Sequence, residues 1–285
     1  VKTGVIEYQP EDMTLTAEAD MTLDTLQAEL ARHGQWLPLD PPHADNLTLA
    51  DLINHNASGP RRFGYGTVRD YLIGIAVKMA DGTVIHSGGK VVKNVAGYDL
   101  MKLFIGARGS LGTVRECTFK LRPLPEMEQF TAIDCLALEQ ADGLIEAVIQ
   151  SNVTPVVVDL HNLPTKSESS GGTTFTVMLG FAGTREEVEW QLARVSELGF
   201  DRPGSLDYET EFWQDPAPAH RISVLPSKIV EAVRGLQSLF VARAGNGIIY
   251  HRGLETPHKE KLPLELLRRV KAAYDPKNIL PAMPL

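Results

Sequence analysis

Residues 87–114 read S-G-G-K-V-V-K-N-V-A-G-Y-D-L-M-K-L-F-I-G-A-R-G-S-L-G-T-V, six glycines set among apolar and amide residues in no repeating order. Glycine lets a backbone approach a ligand more closely than a Cβ permits. It also supplies positive φ where a loop must curl, so that N–H groups converge on one side. The ordinary alternative is a run of tight turns between strands, and this stretch alone leaves both open. A second cluster upstream tips the balance: Asn56-Ala57-Ser58-Gly59-Pro60-Arg61-Arg62-Phe63-Gly64-Tyr65-Gly66-Thr67-Val68-Arg69-Asp70, followed by the strand-like I-G-I-A-V-K-M at 73–79 and the turn A-D-G-T at 80–83.

The order P-P-H, then N-A-S-G-P-R-R-x-G-Y-G-T-V-R-D, D-G, G-G-x-V-x-K-N-V-A-G-Y-D-L and finally G-S-L-G-T-V resembles the FAD-binding subunits of bacterial glycolate oxidases. These belong to the vanillyl-alcohol-oxidase-type (PCMH-type) flavoprotein superfamily. The likeness is collinear from about residue 7 to 125, and K-N-V-A-G-Y-D-L favours that subunit over general superfamily membership; beyond 125 it is much weaker. The fold class it implies is α+β: a PCMH-type FAD-binding domain, incomplete at the N-terminus, plus an α+β cap domain whose antiparallel sheet is covered by helices.

Composition agrees with two packed domains. A chain of 285 residues, 43% apolar and 22% charged, is long enough for two cores and too apolar for wholesale disorder. A net charge of −8 argues against nucleic acid as a general partner, because phosphate binding needs a basic field. The pair Arg61-Arg62 reads either as a solvated surface pair or as a contact to an anionic cofactor or partner. Cys117 and Cys135 fall on different expected strands without C-x-x-C spacing and read as reduced core residues; no metal site is expected. No apolar run approaches the ~20 residues that cross a bilayer, and the N-terminus lacks a basic-then-apolar leader pattern. The expectation is a cytoplasmic protein with no direct membrane insertion, membrane-associated only through partners.

Periodicity gives strands at 4–8 and 14–19, then a helix over 23–33 capped by Thr22, with Leu23, Leu26 and Leu30 at helical spacing and Gly34 as its stop. A short helix is expected at 49–55, strands at 71–79, 84–87 and 113–122, and a short helix near 100–105. Two prolines within 122–126 mark the best domain boundary. Beyond it, strands are expected at 130–135, 155–161 and 174–180, helices at 140–151 and 185–198, and a polar hairpin loop at 166–174. Strands at 221–225 and 247–250 should flank a helix over 227–240, and a last helix spans 264–274. This order suits an antiparallel sheet covered by helices on one face. The expected domains are a partial FAD-binding domain at 1–125, a cap/substrate domain at 126–262, and a C-terminal helix and tail at 263–285 that returns to the first domain, as the family resemblance implies.

The resemblance also assigns residues. Asn56, Ala57, Ser58 and Gly59 should run beside the pyrophosphate or isoalloxazine of FAD, and Gly64, Tyr65, Gly66 and Val68 should continue that wall. Lys93, Asn94, Gly97 and Tyr98 should approach the flavin ring or the cap, where a lysine would stabilise negative charge on the reduced ring; as residue types, Lys93 also reads as a solvated charge and Tyr98 as core cover. Gly109, Leu111, Gly112 and Val114 should cradle the adenine end through their backbone. His43 and His55 could hydrogen-bond the cofactor or cap turns.

Two departures matter. Superfamily members begin with a further subdomain of ~50 residues or more, carrying a P-x-G-x-G/N turn whose amides grip the pyrophosphate. Val1 falls after that point, so FAD is expected to be held weakly or not at all by the isolated chain. Catalytic relatives also carry G-D-G-N-[LI]-H late in the cap; here the corresponding run is A-G-N-G-I-I-Y-H at 244–251, without the Asp and the first His. The catalytic residue is therefore unknown, with His251 the one candidate base beside its reading as a structural histidine; Arg221 and Arg252 could clamp a carboxylate.

The expected function is an FAD-binding subunit of a glycolate oxidase-type complex oxidising 2-hydroxy acids, with a homologous flavoprotein subunit and an iron–sulfur subunit as partners. A non-catalytic structural or interaction subunit without flavin, and a stand-alone FAD-dependent 2-hydroxy-acid dehydrogenase, remain the alternatives.

Overall fold

The computed structural model describes residues 4–89, 99–164, 174–254 and 263–283. They fall into two compact units. The first comprises the described residues of Val1–Gly59, Gly66–Leu124 and Glu260–Leu285; the second comprises Pro60–Tyr65 and Pro125–Lys259. The hexapeptide Pro60–Tyr65 thus packs with the second unit although the chain on both sides of it belongs to the first.

The elements in chain order are β1 (Val5–Gln9), β2 (Thr14–Glu18), α1 (Leu23–Ala31), β3 (Gln35–Trp36), α2 (Leu49–His55), α3 (Arg62–Tyr65), α4 (Val68–Tyr71), β4 (Leu72–Lys78), β5 (Val84–Gly88), α5 (Met101–Phe104), β6 (Thr113–Lys120) and β7 (Arg122–Pro123). Five of these strands form an antiparallel sheet in the order β1-β2-β6-β4-β5, and β3 pairs with β7 apart from it. Thr22 caps α1 through its side chain, and Leu23, Leu26 and Leu30 are buried along one stripe as the 3.6-residue period requires. They join Leu15, Ala17, Cys117 and Phe119 from the sheet and Leu49, Leu52 and Ile53 from α2 in the first core.

The second unit adds β8 (Met127–Cys135), α6 (Leu138–Gln150), β9 (Val157–His161), β10 (Phe175–Gly183), α7 (Arg185–Ser196), β11 (Arg202–Pro203), α8 (Asp207–Gln214), β12 (His220–Ser223), α9 (Ile229–Arg234), β13 (Phe240–Arg243) and β14 (Ile248–His251). Its seven-stranded antiparallel sheet runs β11-β8-β10-β9-β13-β14-β12. Strand alternation sorts the side chains: Val158, Leu160, Val177, Leu179, Phe240 and Ala242 face the layer of α6, α7 and α9, while Met178 and Val241 face Tyr208 and Phe212 of α8. The expected helix over 227–240 is shorter, because Gly235 caps α9 and the chain becomes β13 at Phe240. Helix α8, with Pro216 soon after its end, covers the sheet face opposite the other helices. The last helix, α10 (Leu264–Tyr274), belongs to the first unit, where Val270, Tyr274 and Met283 pack on its core. Cys117 and Cys135 are both free and buried, and burial pushes the Cys135 thiol up to about 11.

Candidate functional site

Helix α2 begins with a capping box, in which Thr48 accepts from the Asp51 N–H and Asp51 accepts from the Thr48 N–H. It ends at Asn56, which sits in the left-handed region at φ 48° while its N–H bonds to Ile53 O. Asparagine tolerates that conformation better than other non-glycine residues. The turn leaves Asn56 Oδ1 buried and without a hydrogen-bond donor among the described residues. Gly59 follows, and a Cβ there would stand 1.9 Å from Asp40 O, so only glycine lets the loop pass strand-close to residue 40.

The second glycine cluster comes to the same place. Gly106 N–H donates to Ile53 O at 2.9 Å and Arg108 N–H to Asn54 O at 3.0 Å, so loop 106–112 is fastened to the C-terminal carbonyls of α2. These are groups a helix end leaves unpaired. Gly106, Arg108 and Gly109 all take positive φ (80°, 49° and 73°), a curl that presents successive amides to one side. The amides of 106, 107, 108 and 110 are bonded within the unit, whereas those of Gly109 and Leu111 donate to no acceptor among the described residues. Gly112 closes the loop where a Cβ would come within 2.4 Å of Val77 Cγ1.

The remaining expected residues divide. The side chains of Val68, Leu111 and Val114 are buried in the first core, so these three can offer a ligand only their backbone. Gly66 has φ 89° and a Cβ there would strike Asp70 Oδ2 at 2.5 Å, within the capping box that Thr67 and Asp70 make for α4. Gly64 belongs to the second unit, where a Cβ would lie 2.6 Å from Val156 Cα; Tyr65 is there too. The expected continuous wall 64–68 is therefore split between the units. Ala57 is partly buried against the first core; Ser58 lies between it and Gly59 and is likewise partly buried. Lys93, Asn94, Gly97 and Tyr98 lie outside the described residues. His43 is exposed at φ 57°, and His55 Nδ1 lies 3.0 Å from Asp51 O on the surface of α2. Arg61 is not a solvated charge: its guanidinium forks onto Glu128 at 2.7 and 2.5 Å.

His251 is wholly buried. The Gly253 N–H donates to its Nδ1 at 3.2 Å, which places the proton of the neutral ring on Nε2; that nitrogen is buried and has no partner among the described residues. Burial, and then His220 beside it, hold its pKa below the usual imidazole range. No accepting nitrogen of this ring is open to a substrate. Arg252 stacks its guanidinium 4.5 Å from the Phe212 ring and donates to Phe212 O, while Arg221 is exposed on β12.

A group that sequence reasoning passed over sits on the α8 face of the second sheet. Arg243 and Asp159 are direct cross-strand partners, joined by a 2.5 Å bond from Nη1 to Oδ2. The same guanidinium forks onto Glu209 at 2.7 Å twice, and Tyr208 Oη donates to Asp159 Oδ2 at 2.7 Å. His161 stacks on Tyr208 with ring centroids 4.5 Å apart. Burial, opposed by Arg243, pushes the Asp159 carboxyl up to about 7, and burial drives His161 down to about 4. The available signal was Asp159 and His161 at alternate positions in an otherwise apolar strand. Among the described residues no group of three His, Cys, Asp or Glu could hold a metal ion, and no helix is long and apolar enough to cross a membrane.

The first-unit loops suit a flavin nucleotide. Two unpaired backbone N–H groups match its acceptor oxygens and nitrogens, and the buried Asn56 oxygen needs a donor such as a ribityl hydroxyl or ring N–H. Comparison with known proteins points the same way. Residues 2–88 match the family model described as FAD binding domain. Glycolate oxidase subunit GlcD of Bacillus subtilis (strain 168) is 35% identical over 162 residues, covering 56% of this chain and 34% of that protein. Glycolate oxidase subunit GlcE of Escherichia coli (strain K12) is 38% identical over 123 residues, 43% of this chain and 35% of that one. D-lactate dehydrogenase of Archaeoglobus fulgidus is 34% identical over 132 residues, 46% and 29% of the two chains. The chain spans about a third of the length of these curated relatives. Among solved structures, an alkyldihydroxyacetonephosphate synthase superposes with a TM-score of 0.69 at 17% identity, over 96% of this chain and 64% of that one, which is a likeness of fold alone. On this agreement of loops, fold and relatives, residues 2–88 carry an FAD binding domain whose cofactor is FAD, and the chain is similar to FAD-linked oxidases.

Proposed function

We propose that this chain is the FAD-binding part of a glycolate oxidase-type flavoprotein complex that oxidises 2-hydroxy acids to 2-oxo acids, alongside a homologous flavoprotein subunit and an iron–sulfur subunit. In this reading residues 1–125 and 263–285 serve as the FAD-binding domain and 126–262 as the cap. The observation that carries it is the meeting of two sequence-distant glycine loops beside a buried, unpartnered carboxamide oxygen. FAD, when bound, takes up the electrons and hydrogen that leave the hydroxyl-bearing carbon. The chain's part is to hold and orient: Gly109 and Leu111 supply N–H donors and Asn56 Oδ1 accepts.

The second unit supports a division of labour between subunits. A base for the substrate hydroxyl must have an accessible lone pair within hydrogen-bond reach, and His251 has its Nδ1 taken and its Nε2 protonated. Both terminal nitrogens of the buried Arg243 are taken by Glu209 and Asp159, so neither of these residues handles the substrate. The proton is then taken in the homologous partner subunit.

The test is reconstitution of the full-length protein with its partner subunits, followed by FAD titration and turnover of glycolate and D-lactate with an artificial electron acceptor. Stoichiometric visible flavin absorbance on this subunit, with turnover only when the partner is present, is the expected result. Protein co-expressed with its partners yet devoid of flavin would overturn the assignment, and turnover by this subunit alone would overturn the division of labour.

A further inference from the structure

We infer that Lys271, held by Asp275, is a positioning residue for the nucleotide loop 106–112, tying the carbonyl of Ser110 to the C-terminal tail. This rests on the reading of that loop as part of the flavin cradle. The ammonium of Lys271 is mostly buried and lies 2.9 Å from Ser110 O, 2.9 Å from Pro281 O, 3.3 Å from Leu280 O and 2.6 Å from Asp275 Oδ2. Three carbonyls and a carboxylate thus converge on a group with three N–H donors, and nothing is left for an external ligand to take.

Asp275 is itself enclosed. Its side chain is buried; Oδ1 accepts from Ile279 N–H at 3.0 Å and Oδ2 from Leu280 N–H at 2.9 Å. Burial alone would raise this carboxyl, yet bonds from Lys271 and the two amides hold it below the usual carboxylate range. The tail is thereby wound into a fixed knot, and Pro281 comes against the left-handed Gly109, where a Cβ would lie 3.8 Å from Pro281 Cγ. Just before the loop, Tyr274 of α10 meets Phe104 of α5 edge-on at 6.1 Å. The loop is therefore gripped from both sides, by α2 through Gly106 and Arg108 and by the tail through Ser110 and Gly109. Residues 110 and 271 are far apart in sequence, so this grip is a tertiary device rather than a turn.

A purely structural role would loosen the whole first unit when lost; a positioning role loosens the loop. Hydrogen exchange on the full chain, wild type against Lys271→Met, separates the two. The amides of Gly106, Arg108 and Ser110 are expected to exchange about tenfold faster, with those of β4 and β6 unchanged. Loop exchange equal to wild type, or a uniform rise across β4 and β6, overturns the inference. Should Lys271→Met fail to fold, Asp275→Asn, which leaves the lysine charge in place but weakens its anchor, decides by the same comparison. An FAD fluorescence titration tests the underlying reading independently. Full-length protein assembled with its partner subunits that takes up no flavin overturns the cradle assignment while the exchange data still decide the grip, and with both correct the Lys271→Met protein in the same assembly binds FAD about tenfold more weakly.

Discussion

Two polar sites, one in each unit, are built in different ways. In the first, the loops at 56–59 and 106–112 are built from backbone and glycine, and they leave the Asn56 oxygen and the Gly109 and Leu111 amides unspent. In the second, Arg243, Asp159, Glu209 and Tyr208 bond to one another through charged side chains, with Asp159 Oδ1 and Arg243 Nε left over among the described residues. Burying a polar group without a partner costs about 1–3 kcal/mol, so a fold keeps such groups only where something else satisfies them. A buried cluster of opposite charges fastens an element; here it fastens α8 to the sheet. The rule that perturbed ionisable groups mark functional sites would have pointed to the second unit, and the unspent amides point to the first.

The largest effect should come from breaking the charge cluster under α8. Arg243→Met leaves Asp159 and Glu209 buried without their common cation, and loss of one partner from a buried ion pair typically costs about 3–5 kcal/mol. Denaturant unfolding followed by Trp213 fluorescence, which reports on α8, should show a loss of that size. The first-unit strands should keep their hydrogen-exchange protection. A loss below about 1 kcal/mol would mean that α8 is held by Phe212 and its apolar neighbours instead, and the contrast between the units would fall.

A finer test uses the two groups in that unit whose pKa values are displaced in opposite directions. Asp159 stands at about 7 in the fold against an ordinary 3.8, so its contribution is complete below the unfolded value and is lost as pH rises through 7. His161 stands at about 4 against 6.5, so its contribution is present above 6.5 and is lost as pH falls through 4. Between about pH 4 and 6.5 the two slopes oppose each other. Asp159→Asn should therefore expose a stability that rises with pH across that window relative to wild type, and His161→Asn one that falls. Identical pH profiles for both variants and wild type would show that neither group titrates differently on folding.

Local signals carried much of the architecture. Thr22 before Leu23, Leu26 and Leu30 announced α1, and period-two alternation announced β2, because caps and periodicity are properties of neighbouring residues. The glycine clusters were legible as backbone in unusual conformations, though their meeting through Ile53 and Asn54 was not. Strand β13 was hidden because Phe240-Val241-Ala242-Arg243 is short and ends in a charge that reads as surface; only its register opposite Asp159 explains why an arginine is buried there. Helix α8, polar and aromatic in composition, has no clean apolar stripe because its inward face carries Glu209 as well as Tyr208 and Phe212. The tie from Lys271 to Ser110 spans 161 residues. What the chain conceals is long-range pairing of polar groups, where identity at one position acquires meaning only from a partner far away.

The smallest expected change in stability is the most telling for the first unit. Asn56→Gly keeps the left-handed turn, which glycine adopts without strain, and deletes the buried oxygen that no described residue satisfies. If that oxygen were a structural element, its loss would destabilise the unit. Because it is unpartnered, removal should leave stability unchanged or raise it by up to about 1–2 kcal/mol, the desolvation cost no longer incurred. Affinity for FAD should nevertheless fall by about tenfold, since the donor on the ligand then loses its acceptor. Chemical denaturation of the ligand-free protein beside a flavin titration makes both readings on one variant. A variant that loses stability and keeps its flavin affinity would turn the Asn56 oxygen into part of the scaffold, and the first unit would then resemble the second in spending its polar groups on itself.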